Sequence, residues 1–336
     1  MTNAPHEGTG MMKEALRPGL VPLIGAVGVI STLLGTSATA STDPLWSDII
    51  QCTSIDGHNF CTEVGFVALT PGSIEWSDYI DGLLGVEGGI PRDPEFHALA
   101  QYLESLSPDK LEARQNAQIM DARLAVGKVE AFDEVAAGAT SGDLVLRNVG
   151  VPAKSAFIMS GKNVEQERSY WCGPAVLQMI DWADPGDTDG KDSQQTWANL
   201  LHTTTAGTSI ANMVAQVNAS TTWDGRAGKY AVISLAGRTA GWFRSMHVTQ
   251  LFHHEAPIIE HVLLEQAYFK YLAFDHGGHY QVGRGYTDGG NSIVIFEPYD
   301  ERDYRADGNH TSGSRTVGYR ELYAATVKHP QQNFGA

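Results

Sequence analysis

Residues 166–183 read Gln-Glu-Arg-Ser-Tyr-Trp-Cys-Gly-Pro-Ala-Val-Leu-Gln-Met-Ile-Asp-Trp-Ala. After Cys172, apolar side chains recur at the i, i+3, i+4, i+7 spacing of one helical face, at Val176, Met179, Ile180 and Ala183. Pro174 suits a first helical turn, where the backbone N–H groups have no partner in any case. The sequence therefore predicts a helix with Cys172 at or just before its N-terminus. The unpaired amides and the positive end of the helix dipole there favour a thiolate over a thiol.

Cys172 taken alone fits two interpretations. An isolated cysteine often serves as a small buried apolar residue, whereas a thiolate at a helix start is a nucleophile. Gln166 lies six residues upstream, close enough for its side-chain amide to point toward the same spot as the Cys172 backbone N–H. Two such donors would form an oxyanion hole, which favours the catalytic interpretation.

A second stretch with reactive side chains runs from His276 to Asp300. Two strand-like runs flank Asp288-Gly-Gly and predict a β-hairpin. A turn centred on Asp288 would place His279 directly opposite Glu297, with about 5 Å between their Cβ atoms. A carboxylate there would orient the imidazole and stabilise its charged form, as the acid of a Cys-His-acid triad does. A slip of one residue would change the partner. His276, which precedes two glycines, is expected in the loop and is the alternative base.

The combined pattern resembles the papain-like cysteine peptidases: Gln166 and, after five residues, Cys-Gly-Pro-Ala at a helix start, then Gly-His-Tyr around His279. The nearest branch is family thirty-nine, the bacteriocin-processing peptidases that cut after double-glycine leaders, with their secreted relatives. The resemblance covers about residues 151–330. It implies an α+β fold of the papain type, in which a helical subdomain carrying the nucleophile packs on an antiparallel sheet carrying the histidine and the acid.

The resemblance also implies roles for individual residues. Cys172 matches the nucleophile, His279 the general base and Gln166 the oxyanion donor of the family. At the third triad position the family usually has Asp before Pro, whereas this chain has Glu297. Asp300 is the alternative acid.

The composition restricts the partners. The chain has 336 residues, enough for one large or two modest globular domains, and a formal net charge of -16. A chain this acidic is repelled by phosphate backbones, so we expect no nucleic-acid partner. Zinc requires three or four ligands, and no second Cys or His pair lies near Cys172 in the sequence. We expect a peptide or protein substrate, no metal and no cofactor; the oligomeric state stays open.

The first 40 residues have the pattern of a secretory signal peptide. Lys13 and Arg17 precede the apolar run 20–34, and Ala38-Thr-Ala follows as a cleavage site. The run is shorter than the about twenty apolar residues of a transmembrane helix, and proline and glycine interrupt it. We therefore expect a secreted or cell-envelope-associated protein without stable membrane insertion after signal removal. An uncleaved N-terminal anchor is the alternative.

The three cysteines fit export. In an oxidising compartment Cys52 and Cys61 would close a small loop as a disulfide, provided that their Cα atoms lie within about 7 Å. Cys172 would then remain as the free thiol, as a nucleophile requires.

Residues 41–150 are predicted to form a mostly helical N-terminal region. The helical patterns cover two stretches: 95–106, and from Ser107 or Asp109 through Leu124 toward Phe132. Small residues at 137–142 predict a break before Leu144-Val-Leu. The region is either a pro-region that shields the catalytic cleft or a structural extension of the peptidase domain, and the sequence leaves both open.

A glycine pair in this region also has two interpretations. Leu83, Val86 and Gly88-Gly89 have the spacing of the leaders that double-glycine peptidases cut. The hypothesis that follows is a self-processing site after Gly89. An ordinary turn is the commoner role of such a pair.

The candidate peptidase domain, residues 151–336, contains further predicted elements: helices at 193–201 and 210–217, and strands at 230–235 and 247–251. Asp187, Asp189 and Asp192 resemble part of a calcium loop. Ala198 stands where such a loop needs a bidentate Glu, which favours a solvated turn.

These observations predict a secreted cysteine peptidase that hydrolyses peptide bonds through a Cys-His-acid triad with a Gln oxyanion hole. An amidase or transpeptidase acting on cell-wall peptides would use the same triad. A papain-like binding module with idle catalytic residues is the alternative of another class. All four candidate positions carry competent side chains, which favours the enzyme. The substrate depends on the shape of the cleft, so the sequence does not determine it.

Overall fold

The computed structural model describes residues 49–140, 153–187 and 192–336. The predicted signal peptide lies outside these ranges, as do Leu144-Val-Leu and Asp189 of the calcium-like loop. The described residues belong to one compact unit. None of their helices is both long enough and apolar enough to cross a bilayer.

A ten-stranded, mostly antiparallel sheet runs through the described part of the chain. Its strands are β1 (Cys52–Ile55), β2 (His58–Cys61), β3 (Gly65–Val67), β6 (Ala156–Phe157), β7 (Val232–Ser234), β8 (Ile258–Leu263), β9 (Gly278–Thr287), β10 (Ser292–Glu297), β11 (Gly313–Gly318) and β12 (Asn333–Gly335). They lie in the order β1-β2-β3-β7-β12-β8-β9-β10-β11, with β6 paired to β9. The short strands β4 (Val86–Glu87) and β5 (Ile90–Pro91) form a separate hairpin.

Helices pack against this sheet, so the fold is a mixed α+β arrangement of the expected class. They are α1 (Ile74–Leu84), α2 (Pro94–Glu104), α3 (Pro108–Thr140), α4 (Cys172–Trp182), α5 (Gln194–Leu200), α6 (Ile210–Ser220), α7 (Asp224–Ala227), α8 (Ala240–Val248) and α9 (Tyr319–Lys328). The helices predicted at 95–106, 193–201 and 210–217 correspond to α2, α5 and α6, and the strand predicted at 230–235 contains β7.

The N-terminal part is less helical than its sequence predicts, because β1–β3 join the main sheet. Phe66 of β3 pairs in parallel with Ile233 of β7. These strands have only three or four residues each, too few for a clear apolar alternation. The predicted disulfide between Cys52 and Cys61 is present and joins directly opposed positions of β1 and β2, with a Cα–Cα distance of 4.1 Å.

Helix α3 shows where a local pattern misleads. Its buried face carries small and apolar residues, at Ala122, Ala125, Val126, Val129 and Phe132. Leu124, which the predicted stripe includes, is 65% exposed. The predicted break at 137–142 is wrong at its start, because the helix continues to Thr140. Alanine is the strongest helix former, so the run of small residues tolerates the extension.

The strand predicted at 247–251 is wrong. Helix α8 ends at Val248, and a π-helical turn follows at Thr249–His253. Thr239 caps α8 with a hydrogen bond from the Trp242 N–H, and the helix buries Phe243 and His247. A five-residue apolar pattern is too short to distinguish a helix from a strand.

The pair Gly88-Gly89 forms the turn between β4 and β5. Both glycines have positive φ, 59° and 84°, in a two-residue hairpin turn that favours glycine. An ordinary turn therefore accounts for the pair, and self-processing after Gly89 stays a prediction.

Candidate active site

Helix α4 begins at Cys172, as the sequence predicts, and is buried from Cys172 to Asp181. Its apolar side chains pack in one cluster with those of α6 and β9. Gly173 allows a close approach, because a Cβ there would lie 2.6 Å from Thr208 Oγ1. The close packing fixes the candidate nucleophile at the helix N-terminus, and its thiol is free.

His279 lies near the start of β9 and is 4% exposed. Its Nε2 is 2.6 Å from Glu297 Oε1, so Nε2–H donates to the carboxylate. Burial lowers the pKa of His279, but the charge of Glu297 and side-chain hydrogen bonds with Cys172 and Glu297 outweigh it and raise the pKa to about 10. The imidazole therefore connects the candidate nucleophile to the candidate acid.

The carboxylate of Glu297 is fully buried and well supplied with donors. Oε1 also accepts from the Tyr299 backbone N–H at 2.8 Å. Oε2 accepts from the Tyr271 hydroxyl at 2.8 Å and from Gln281 Nε2 at 2.6 Å. These donors hold the carboxylate in one orientation, and they stabilise its charged form in a buried place.

The predicted strand register is wrong, although His279 and Glu297 do meet. Near the turn, Ser292 pairs with Thr287, and beyond a bulge at Val294/Ile295, Phe296 pairs with Val282. If this register is continued by one residue, Glu297 lies opposite Gln281 and not opposite His279. The turn occupies the predicted residues Asp288–Gly290 as a 3-10 helix, but its centre lies between Gly289 and Gly290 and not at Asp288.

The bulge decides which face Glu297 occupies. Without it, Glu297 would pair with Val282 and lie on the face of Tyr280. With it, Glu297 pairs with Gln281, and side chains two residues apart on a strand share a face. Glu297 therefore reaches His279 as a diagonal neighbour. A bulge next to a site commonly re-aims a side chain in this way.

The two alternative residues lie in other networks. Asp300 pairs with Arg302 at 3.0 Å and hydrogen-bonds His310 and Ser312. Burial opposes ionisation of Asp300, but these hydrogen bonds hold its pKa below the usual range. His276 Nε2 is 2.8 Å from Glu301 Oε1. The geometry thus brings Glu297, and not Asp300, to His279.

Gln166 is buried, but its side-chain amide is partly engaged elsewhere. Nε2 donates to the Arg168 carbonyl oxygen at 2.8 Å. Oε1 is buried without a hydrogen-bond partner among the described residues. The Gln166 backbone is held at both ends, by the Pro298 carbonyl and the Tyr304 hydroxyl. One N–H of the amide remains for a further acceptor.

The residues that hold the acid were not among the predicted site residues. Gln281 had a detectable signal, because it lies two residues after His279 on the same face of a predicted strand. Tyr271 had none, since it lies in a loop between β8 and β9. Its contact with Glu297 depends on the path of the chain in three dimensions.

Cys172 and His279 line a cleft of about 540 Å³. Its other walls come from distant parts of the chain, at 92–95, 205–207 and 328–330. Asp93 in this wall is buried, and burial together with the charge of Glu95 raises the pKa of Asp93 to about 6. The cleft is large enough for part of a peptide.

Three side chains beside the cleft offer atoms that a metal ion could bind. Ligand atoms of Glu95, His261 and His329 lie within 4.8 Å of one another. The rings of His261 and His329 are in contact, with centroids 3.8 Å apart and planes tilted by 45°, and Nδ1 of His329 accepts the Gln331 N–H. This tautomer puts the proton of a neutral His329 on Nε2, where it blocks that nitrogen as a ligand, so the cluster is a poor ligand set.

The family model described as Peptidase_C39 like family matches residues 159–326. That range is half of the 336 residues and contains Cys172, His279 and Glu297. The chain belongs to the Peptidase_C39 like family. The predicted resemblance to family thirty-nine is thereby confirmed. No curated protein matches the chain.

Membership of the Peptidase_C39 like family indicates a cysteine peptidase that acts on peptides. The matched range also contains Gln166, Asp300 and the complete helix α4. It begins after the described N-terminal residues 49–140, so the cleft wall at 92–95 lies outside the matched range.

Proposed function

We propose that the chain is a secreted cysteine peptidase in which Cys172 is the nucleophile, His279 the proton carrier and Glu297 the acid. One observation carries the proposal: His279 is hydrogen-bonded to Glu297 through Nε2 and interacts with the Cys172 side chain, which lies at a helix N-terminus. Helix dipole, imidazolium and carboxylate then act together on one sulfur.

The resting state in this proposal is an ion pair. Because the pKa of His279 is raised to about 10, the imidazole carries two protons at neutral pH. Its Nε2–H faces Glu297, so its Nδ1–H is the proton that faces Cys172. In this proposal the sulfur of Cys172 faces a protonated imidazole, and His279 acts first as an acid.

The steps of hydrolysis follow from this state. The Cys172 thiolate attacks the scissile carbonyl carbon, and the carbonyl π electrons move to oxygen. As the tetrahedral intermediate collapses, the C–N bond breaks and His279 Nδ1–H protonates the leaving amine. Neutral His279 then takes a proton from water, which attacks the thioester. Collapse releases the acid product and restores the thiolate with protonated His279.

Gln166 is proposed to stabilise the oxyanion together with the Cys172 backbone N–H. The Cys172 N–H is one of the unpaired amides of the first turn of α4. The second N–H of Gln166 Nε2 is not used by the bond to Arg168. Loss of one oxyanion donor costs roughly 10²–10³-fold in kcat in a comparable hydrolase.

Export is part of the proposal. The signal-like residues 1–40 support it, and the disulfide between Cys52 and Cys61 is compatible with an oxidising compartment.

Cleavage of a peptide library by the protein that is recovered outside the cell tests the proposal. We expect cleavage by the native chain, none by Cys172→Ala, and a loss of roughly 10³-fold or more in kcat for His279→Ala. A thiol-directed activity probe should label Cys172 in the native chain and much more slowly in His279→Ala. A native protein that neither cleaves nor reacts with the probe would be a binding module with idle residues.

A further inference from the structure

The cleft beside Cys172 is built from two parts of the chain. Cys172 and His279 come from the range that the family model matches, whereas Arg92–Glu95 come from the N-terminal region. Leu263 and His329 complete the opposite side. A substrate bound at the reactive sulfur therefore lies next to residues from outside the family range.

The backbone of Arg92–Glu95 is held in place by hydrogen bonds. Asp93 caps helix α2 by accepting the Phe96 N–H at 2.9 Å, and Pro94 occupies the first turn. The Arg92 N–H donates to the Gly85 carbonyl at 2.8 Å. A segment fixed at a helix start loses little entropy when a substrate binds to it.

Glu95 ties this segment to the catalytic strand. Its carboxylate accepts a hydrogen bond from the hydroxyl of Tyr280, which follows His279 in β9. The N-terminal region is also attached to the far wall, because the Tyr79 hydroxyl donates to the Gln331 carbonyl at 2.7 Å. The relative positions of wall and catalytic histidine are thus fixed by direct contacts.

The segment lines the cleft and does not fill it. An inhibitory pro-region would occupy the space above the nucleophile, whereas here about 540 Å³ remains open between Arg92–Glu95 and Cys172. Glu95 and Gly207 also border a second pocket of about 370 Å³. Tyr102 of α2 and His202 stack in that pocket, with ring centroids 4.8 Å apart. Space for substrate therefore exists on both sides of Glu95.

We infer that Arg92–Glu95 form a permanent wall of the substrate groove, so that the N-terminal region binds an extended peptide and is not a removable inhibitor. This inference deepens the proposed peptidase function and rests on it. Arg92 contacts the substrate beyond the scissile bond, and Glu95 is a positioning residue that holds the wall against Tyr280.

Kinetics with a long and a short substrate test the wall. We expect Arg92→Ala and Glu95→Ala to raise KM for an extended peptide about tenfold, the low end for the loss of a pocket contact. Arg92→Ala should change kcat/KM for a single-residue amide less than twofold, since that substrate does not reach the wall. The matched controls are Arg123→Ala and Glu112→Ala, on the exposed side of α3.

The direction of the change in activity distinguishes a substrate-binding wall from an inhibitory pro-region. Higher activity of Glu95→Ala would mean that the segment inhibits, and would overturn the inference. An unchanged KM in both variants would overturn it as well. Alkylation of Cys172 by iodoacetamide should be as fast in Arg92→Ala as in the native chain. A native chain whose Cys172 does not react would contradict the proposed function instead, which keeps the two failures distinct.

A cut between the two regions provides a test that needs no turnover. A site-specific protease sequence inserted within residues 141–152 allows the folded full-length chain to be cut there. We expect both fragments to elute together in gel filtration, because β3–β7 pairing and the Glu95–Tyr280 contact join them. Separation of the fragments, or a rise in activity after the cut, would show a removable pro-region.

Discussion

Glu297 sets the protonation state of the candidate site. The residue is fully buried, and its charge is the chief cause that opposes the burial of His279 and raises the pKa of that imidazole. The raised pKa means that the imidazolium is complete at neutral pH and is lost as the pH rises through about 10. The proposed ion pair of Cys172 and His279 therefore depends on one carboxylate.

Glu297→Gln should lower the upper pH limit of the reaction. Glutamine keeps the shape of the side chain but removes the charge, so the pKa of His279 should fall toward that of an ordinary imidazole. We expect the alkaline limb of kcat/KM and of Cys172 alkylation to move to lower pH, and kcat to fall by roughly 10²–10⁴-fold. Rates measured from pH 5 to pH 11, a range chosen to bracket about 10, check the shift.

Asp300→Asn is the matched control for this change. Asp300 bonds Arg302 and His310 and has no bond to His279 among the described contacts. Its variant should keep the alkaline limb of the native chain. A shift in Asp300→Asn together with a native profile in Glu297→Gln would make Asp300 the acid.

At the scale of elements, helix α3 carries a charge into its own buried face. Lys128 is 7% exposed, and its Nζ has no hydrogen-bond partner among the described residues. Nζ lies over the ring of Tyr230, 4.8 Å from the ring centroid. Burial lowers the pKa of Lys128 to about 7. Burial of this amine therefore lowers the free energy of unfolding, because the unfolded chain keeps the amine in water.

Lys128→Met should stabilise the protein. In the unfolded chain the pKa of this lysine is near 10.5. At neutral pH the native state must either release the proton or bury the charge, and both lower the free energy of unfolding. We expect a gain of roughly 2–4 kcal/mol in the free energy of unfolding at pH 7. The gain should shrink as the pH rises toward 10.5, because the unfolded lysine then loses its proton as well. Urea denaturation at several pH values measures both quantities.

Lys110→Met on the exposed side of the same helix controls for added hydrophobicity. Its stability should stay within about 0.5 kcal/mol of the native value. Equal gains from both variants, or a Lys128→Met gain that does not change with pH, would contradict a buried charge as the cause.

On the scale of the whole molecule, the two parts of the chain share one sheet and one core. Strand β7 pairs with β3 on one side and with β12 on the other. Phe66 and Phe132 of the N-terminal region pack in the same cluster as Ile233 and Phe243. We therefore expect the range that the family model matches to be incomplete as a folding unit in this chain.

Residues 153–336 expressed alone should fail to form a soluble native domain. Without β3, the buried strand β7 becomes an open edge, and apolar side chains beneath it meet water. We expect aggregation, or a soluble form that binds a hydrophobic dye and lacks near-UV circular dichroism. Co-expression with residues 44–152 as a separate chain should restore solubility. A well-folded, active 153–336 fragment would contradict this account.

Features that depend on near neighbours along the chain could be predicted from the sequence. The apolar spacing after Cys172 and Pro174 defines a helix that starts at the sulfur. The strand–turn–strand pattern around Asp288 defines the hairpin. The range that the family model matches contains both this hairpin and the Cys172 helix. Helical and strand periods involve only residues close together in the sequence, so they can be recognised without knowledge of the rest of the fold.

Which distant groups meet depends on the folded structure. The bulge at Val294/Ile295 puts Glu297 on the face of His279, and no period-two pattern reveals a bulge. Tyr271 reaches Glu297, and Glu95 reaches Tyr280, across long stretches of chain. Such contacts depend on how sheet and loops pack, and many sequences with the same local pattern would place these residues elsewhere. The position of the sulfur at a helix start is thus set by local sequence, whereas its candidate acid and the proposed substrate groove are set by the fold.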